Sequence, residues 1–427
     1  MRIGIIIGRI GDVDGVALET EKWIEVLQRM GHEIFIMSGR FKRSIVGEKN
    51  ETIVPSLSFF SPQCEWEQKR AFFYPDEDPS MLINHLEYES DIVAIQIFKW
   101  MLKKKIDVIL SENASALPCH LSMGMGIKKA VERTGIPLVT HDHDFAWERG
   151  DRYKTPHKPI REIIDTTFPI NSKGVKHAVI NTPAKHELRK MVNIDSIVVP
   201  NVMDFNEPYG EIDNYNSDLL QHFGFKKNII PMFQITRIVR RKGIETAIEL
   251  VDRLNDNRIR LIITGSAADD ERFGYYKVLK EMISQRKLED KVHFAHHHIS
   301  PFRGKSYDGG KIYSLSDAYA HSAACTYFST YEGFGNAFVE CILAKKPIFV
   351  NNYKPVYWPD IGSKGFKTVM LEDNNLTDDA VEEAREILTK PDLQKEIAEY
   401  NFNLGKKHFS YEVLEEKLSE LFDMKAF

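Results

Sequence analysis

The chain has 427 residues, beyond the ~250–300 at which one hydrophobic core stops growing, so two domains are expected. Hydrophobic residues at 43% and charged residues at 28% are ordinary for a globular protein and exclude a disordered or fibrous one. A net charge of −5 gives no basic field for duplex nucleic acid, and no apolar run approaches the ~18 residues of a membrane span.

Met1 leads straight into the apolar run Ile3 to Ile7, which predicts a strand buried on both faces and leaves no room for a signal peptide. A loop with Gly8, Gly11 and Gly15 follows, and its spacing is not the dinucleotide fingerprint G-x-G-x-x-G. A helix then runs to Met30, with Trp23, Val26, Leu27 and Met30 on one face and Gly31 as its terminating glycine. His32 to Ile36 begins the next strand, completing a βαβ unit. A long helical pattern covers Ser80 to Lys103, and strands are predicted at Val108 to Leu110, Pro137 to Thr140, Ala178 to Ile180 and Ile197 to Val199. Cys64, Cys119, Cys325 and Cys341 show no C-x-x-C spacing and read as reduced, mostly buried thiols of a cytoplasmic protein.

The second half repeats the alternation. Strands are predicted at Ile229 to Ile235, Leu261 to Thr264, Val292 to Ala295, Ala324 to Phe328 and Pro347 to Val350, with helices between them. Such alternation implies an α/β protein with parallel sheets and helices on both faces. The polar segment Asn206 to Ser217 marks the join. The expected division is an N-terminal Rossmann-like domain over 1–205, a second over 206–408, and a C-terminal helix within 409–427.

Two segments carry chemistry. Gln234-Ile235-Thr236-Arg237 leads to the basic turn Arg240-Arg241-Lys242-Gly243, after which Ile244, Ala247, Ile248 and Val251 take helical spacing. Ligands of open α/β sheets collect at this strand-to-helix edge, where Arg237 and Lys242 can neutralise a diphosphate. Without a partner, Arg240 to Lys242 would read as a basic surface turn. The partner is Glu332-Gly333-Phe334-Gly335-Asn336-Ala337-Phe338-Val339-Glu340, which places a glycine loop and a helix start behind a buried strand. A helix N-terminus presents free N–H groups and partial positive charge to a phosphate, and glycines let the backbone approach it. Glu332 suits a sugar hydroxyl, and Glu340, about two turns into the helix, a ribose diol.

Arg237 and Lys242, followed by Glu332 and Glu340 in an E-x7-E arrangement, resemble the GT4-type retaining glycosyltransferases of GT-B fold, the family that includes sucrose-phosphate synthases and bacterial mannosyltransferases. The resemblance covers almost the whole chain. Thr236 stands where the family often has glycine, and Asn336 where it usually has an apolar residue. The resemblance implies two Rossmann-like domains facing across a cleft, with the last helix packing back on the first domain. It makes Arg237 and Lys242 ligands of the donor diphosphate, Glu332 a contact of the donor sugar and Glu340 a contact of the ribose. Gly333, Phe334, Gly335 and Asn336 complete the donor loop, and Gly15 lies under the donor phosphates. In Thr140-His141-Asp142-His143-Asp144-Phe145 the family's histidine matches His143, with His141 as the alternative.

The basic, aromatic loop that follows nominates Arg149, Arg152, Tyr153 and Lys154, with His141, for a saccharide or small anionic acceptor; a solvated loop is the plainer reading. Three metal readings are set aside: the ligand-type side chains of His141-Asp142-His143-Asp144, and two others. Asp142-x-Asp144 is like the D-x-D of the other large glycosyltransferase fold, but the donor signature lies in the other half of the chain. His296-His297-His298, read on a strand, would point to alternate faces. The implied reaction moves a hexose, mannose or glucose, from a UDP- or GDP-linked sugar to an acceptor hydroxyl by same-face attack, without cofactor or metal. Peripheral membrane contact is compatible with the family. A nucleotide-sugar 2-epimerase-like isomerase and a non-catalytic sugar-nucleotide-binding subunit are the rival readings.

Overall fold

The computed structural model describes residues 1–225, 228–266, 274–307 and 309–427. The chain forms two compact units, Met1–Asn201 with Glu412–Phe427, and Val202–Tyr411.

The first unit is built on a seven-stranded parallel sheet. Its strands are β1 (Arg2–Ile7), β2 (Glu33–Ser38), β3 (Glu51–Ile53), β4 (Val108–Glu112), β5 (Leu138–Asp142), β6 (Val175–Val179) and β7 (Ser196–Val198). The spatial order is β3-β2-β1-β4-β5-β6-β7, so the winding reverses between β1 and β4. Ile3, Ile5 and Ile6 are wholly buried, as helices on both faces of a parallel sheet require. The helix Gly15–Arg29 starts at Asp14, whose carboxylate accepts from Ala17 N–H at 3.1 Å. No atom lies within 4 Å of where a Gly15 side chain would stand, so nothing in this unit's packing requires glycine there.

Helix Tyr411–Leu421 begins at the last residue of the second unit, and the rest of it belongs to the first. Lys176 Nζ donates to the carbonyls of Leu421 at 2.9 Å and Asp423 at 3.0 Å, satisfying acceptors that a helix end leaves open.

The second unit carries a six-stranded parallel sheet of β8 (Ile230–Gln234), β9 (Ile259–Ile263), β10 (Val292–Phe294), β14 (Ala324–Tyr327), β15 (Ile348–Asn351) and β16 (Val369–Leu371). Its order is β10-β9-β8-β14-β15-β16, with the reversal between β8 and β14. Between β10 and β14 the chain adds a small sheet of β11 (Ile299–Ser300), β12 (Gly304–Lys305) and β13 (Lys311–Ser314), with β13 in the middle. Neither this sheet nor the edge strands β3 and β16 is predicted from the sequence. His296, His297 and His298 lie in a turn after β10, not on a strand, so the alternating-face argument does not apply to them. Among the described residues, no helix is long and apolar enough to cross a membrane.

Helices Ser80–Lys104 and Leu121–Thr134 pack closely in the first unit because Gly126 has no side chain. A Cβ there would meet Val93 Cγ1 at 2.4 Å and Ser90 O at 3.1 Å. Gly126→Val is expected to cost about 1–3 kcal/mol by overpacking. Gly15→Ala should stay within about 0.5 kcal/mol of wild type. Thermal melts of both variants check this; equal melting temperatures would show that the interface yields.

Candidate active site

The reversal between β8 and β14 opens a crevice at the carboxyl ends of two neighbouring strands, the usual ligand position in such sheets. The loops leaving these strands hold both chemistry-bearing segments. Lys242 and Glu332 are each only 8% exposed. The ammonium of Lys242 donates to Glu332 Oε1 in a close ion pair. Arg241 Nη1 donates to Glu332 Oε2 at 2.9 Å and to the Tyr331 carbonyl at 2.8 Å.

Burial pulls the Lys242 ammonium below its ordinary pKa, while Glu332 works against that pull. Burial also penalises the ionised form of Glu332, but the charges of Lys242 and Arg241 win and hold its carboxyl below the usual value. The cation bonded to Glu332 beside Lys242 is therefore Arg241, which the sequence reading left within a basic run. Arg237 is exposed, and its charge acts on Lys242.

The core fixes these loops. Gln234, at the end of β8 and wholly buried, donates to the Lys242 carbonyl at 2.8 Å and accepts from the Thr326 hydroxyl at 3.0 Å. Gly243 has a φ of +57°, and a Cβ there would meet the Phe328 carbonyl oxygen at 2.1 Å. Gly335 has a φ of +124° and lies against the Tyr353 hydroxyl, which donates to Phe334 O at 2.9 Å. The ring of Phe334 is buried and packs edge-on against Phe409 at 5.6 Å. Gly333 is half-buried beside it, and Asn336 opens the helix Asn336–Leu343. Glu340 is the fifth residue of that helix, so it stands one turn in rather than two. Its Oε2 accepts from the Tyr319 hydroxyl at 3.1 Å.

The first unit gathers polar groups at the ends of β4, which borders its own reversal, and of the next strand β5. Glu112 ends β4 and is the register partner of His141 on β5. Both are wholly buried, and Glu112 Oε2 lies 2.9 Å from His141 Nδ1. The His141 ring stacks on Trp23 with centroids 4.0 Å apart. His143 Nε2 stands 4.0 Å from Glu112 Oε2, and His143 N–H donates to Asn113 Oδ1 at 3.1 Å. Burial pushes the Glu112 carboxyl up to about 8, and pulls His141 down to about 4 and His143 to about 3. His141 and His143 thus share one cluster, which Glu112 joins. The sequence signal for Glu112 is a carboxylate ending an apolar strand.

The two aspartates of the D-x-D spacing have different partners. Asp142 Oδ2 accepts from Thr140 Oγ1 at 2.7 Å, and Asp144 is paired with Arg149. Lys154 pairs with Asp151 at 2.6 Å on the surface. Arg152 lies over the rings of Phe73 and Tyr153, at 5.8 and 5.5 Å. A cavity of about 420 Å³ adjoins this loop and includes Trp147, Tyr153, Lys154, Ile164 and Phe168 in its lining.

Comparison with known proteins gives the family and the fold. Residues 220–404 match the family of glycosyl transferases group 1. The chain is 34% identical to mannosylglucosylglycerate synthase of Thermotoga maritima over 98% of this chain and 99% of that protein. It is 31% identical to the synthase of the same name from Petrotoga mobilis, over 96% and 98%. Among solved structures, a Rickettsia africae glycosyltransferase aligns with a TM-score of 0.69 and 18% identity over 99% of each chain. Sucrose-phosphate synthase of Thermosynechococcus elongatus aligns at 0.64 and 13% over 100% of this chain and 99% of that one. The Anabaena protein HepE, solved with UDP-glucose, aligns at 0.60 and 16% over 98% of each. The chain belongs to the group 1 glycosyl transferases, as a hexosyltransferase of GT-B fold homologous to the mannosylglucosylglycerate synthases.

Proposed function

We propose that this protein transfers mannose from a nucleotide diphosphate mannose to glucosylglycerate, or to a similarly small anionic glycoside, with retention at the anomeric carbon. The observation that carries the reading is the buried Lys242–Glu332 pair at the mouths of β8 and β14. The end-to-end identity with two synthases named for a mannose, a glucose and a glycerate supports the choice of sugar and acceptor.

In this reading the donor diphosphate occupies the second unit's crevice, beside Lys242, Arg237 and the N–H groups of Gly335 and Asn336. These groups meet the charge that grows on the leaving diphosphate, so no metal ion is needed at that position. Glu332 and Glu340 take hydroxyls of the hexose and the ribose. Glu332 is a poor nucleophile, because two cations hold its carboxylate. That favours attack by the acceptor on the face the leaving group departs from, with the departing phosphate taking the acceptor's proton. His143 serves the reacting centre, and the loop bearing Arg149, Arg152, Tyr153 and Lys154 serves the acceptor side, where guanidinium and ammonium groups suit a glycerate carboxylate. All four cysteines are free thiols, which supports a reducing, cytoplasmic setting.

Thermal stabilisation by GDP-mannose, UDP-glucose and related nucleotide sugars tests the donor site. One of them, at ~100 times its dissociation constant, should add about 2.7 kcal/mol to the folded state. The gain should vanish in Lys242→Ala combined with Arg237→Ala. Stabilisation by none of the panel would sink the reading, and mass spectrometry after adding glucosylglycerate tests the acceptor.

Tyr319→Phe removes the hydroxyl that fixes Glu340 and weakens ribose binding equally in ground and transition states. KM for the donor should rise by up to about tenfold, the scale of one hydrogen bond, while kcat is kept. A fall in kcat at unchanged KM would place Glu340 elsewhere in the reaction.

A further inference from the structure

Three buried ligand-type atoms in the first unit have no hydrogen-bond partner: Glu112 Oε1, His141 Nε2 and His143 Nε2. Glu112, His141 and His143 each offer one ligand atom, and the three atoms lie within 4.8 Å of one another. Atoms around one ion at ~2.1 Å lie at most ~4.2 Å apart, so small side-chain rotations close the set. The Glu112 Oε2 separations of 2.9 Å to His141 Nδ1 and 4.0 Å to His143 Nε2 already fall in that range.

The surroundings favour a cation. Glu19, buried beside His141, and Asp142 add negative charge, and Lys22 is drawn to Glu19 at 2.8 Å. The ligands are held from behind. Trp23 stacks on the His141 ring, Asn113 accepts from His143 N–H, and Thr20 lies beside Glu112 with its hydroxyl donated to Val16 O. By itself the cluster buries three polar atoms without partners, a desolvation cost that no hydrogen bond offsets. A divalent ion between the Glu112 carboxylate and His143 Nε2 relieves part of that cost.

We infer that Glu112, His141 and His143 form a site for a single divalent transition-metal ion, of the two-histidine, one-carboxylate class that suits zinc, cobalt or ferrous iron. The sequence reading expected no metal, and the ion inferred here is not at the donor diphosphate. Three protein ligands leave coordination positions open, and an acceptor hydroxyl or carboxylate is the kind of oxygen that fills one. His143 then acts on the acceptor through the ion. All three ligands belong to the first unit, so the site stands or falls apart from the donor reading.

The test uses the untagged full-length protein, stripped with a chelator and titrated with Zn2+ or Co2+ alone. One equivalent should bind, and X-ray absorption of the zinc form should show two imidazole ligands. Affinity should fall by at least 10–100-fold in Glu112→Gln and in His143→Ala, and stay unchanged in His297→Ala. Melts in metal-free buffer confirm that the variants fold, and the wild-type absorption spectrum decides the matter if they do not. No bound equivalent, fewer than two imidazoles at the metal, or uptake unaffected in folded Glu112→Gln and His143→Ala would each overturn the site.

Discussion

The donor half of this molecule depends on one buried ion pair. Lys242 and Glu332 sit on loops that leave adjacent strands, and removing both charges from water is expensive unless each finds its partner. Hydrophobic residues of similar volume would serve stability as well or better. The pair therefore marks a place where charge is kept ready for a ligand, and the surrounding packing reads as its support. Gln234 holds the lysine's backbone, Asn351 ties Ser329 and Asn374 together, and Tyr353 holds the turn at Phe334. None of these groups needs to touch substrate. Each narrows where Lys242, Arg241 and Glu332 can stand.

Both sheets obey the same topological rule and use it differently. In each, polar side chains collect at or next to the point where the winding reverses, at β8 and β14 in the second sheet and one strand along, at β4 and β5, in the first. At β8 and β14 the result is paired charge, two cations on one carboxylate. At β4 and β5 it is a carboxyl and two imidazoles packed against an indole, with ligand atoms left over. The first arrangement suits an incoming anion. The second suits something that accepts lone pairs.

Much of this was legible in the sequence, for a physical reason. Strands of a parallel sheet are buried on both faces, so Ile3 to Ile7 and Ile229 to Phe233 stand out as apolar runs. The three-residue edge strand Glu51–Ile53 has no buried residue and gives no such run. Val369–Leu371 and the strands around Lys311 are equally too short to show a period. In the donor loops, Lys242 and Glu332 were legible because their chemistry is tied to local turns. The bond from Arg241 to Glu332 was not, since it spans 91 positions and depends on how two loops meet. The bonds of Gln234, Tyr319 and Tyr353 were hidden for the same reason, as was Glu112, which only strand register brings opposite His141.

The contact between Gly335 and Tyr353 has an evolutionary corollary. A Cβ at 335 would sit 2.2 Å from the Tyr353 hydroxyl oxygen, so the two positions occupy one shared volume. Divergence at 335 is constrained by the phenol at 353. A lineage that acquires a side chain at 335 must first surrender the phenol oxygen at 353, and with it the bond to Phe334 O. The φ of +124° at 335 would still strain any side chain there, so this turn has two separate reasons to keep its glycine.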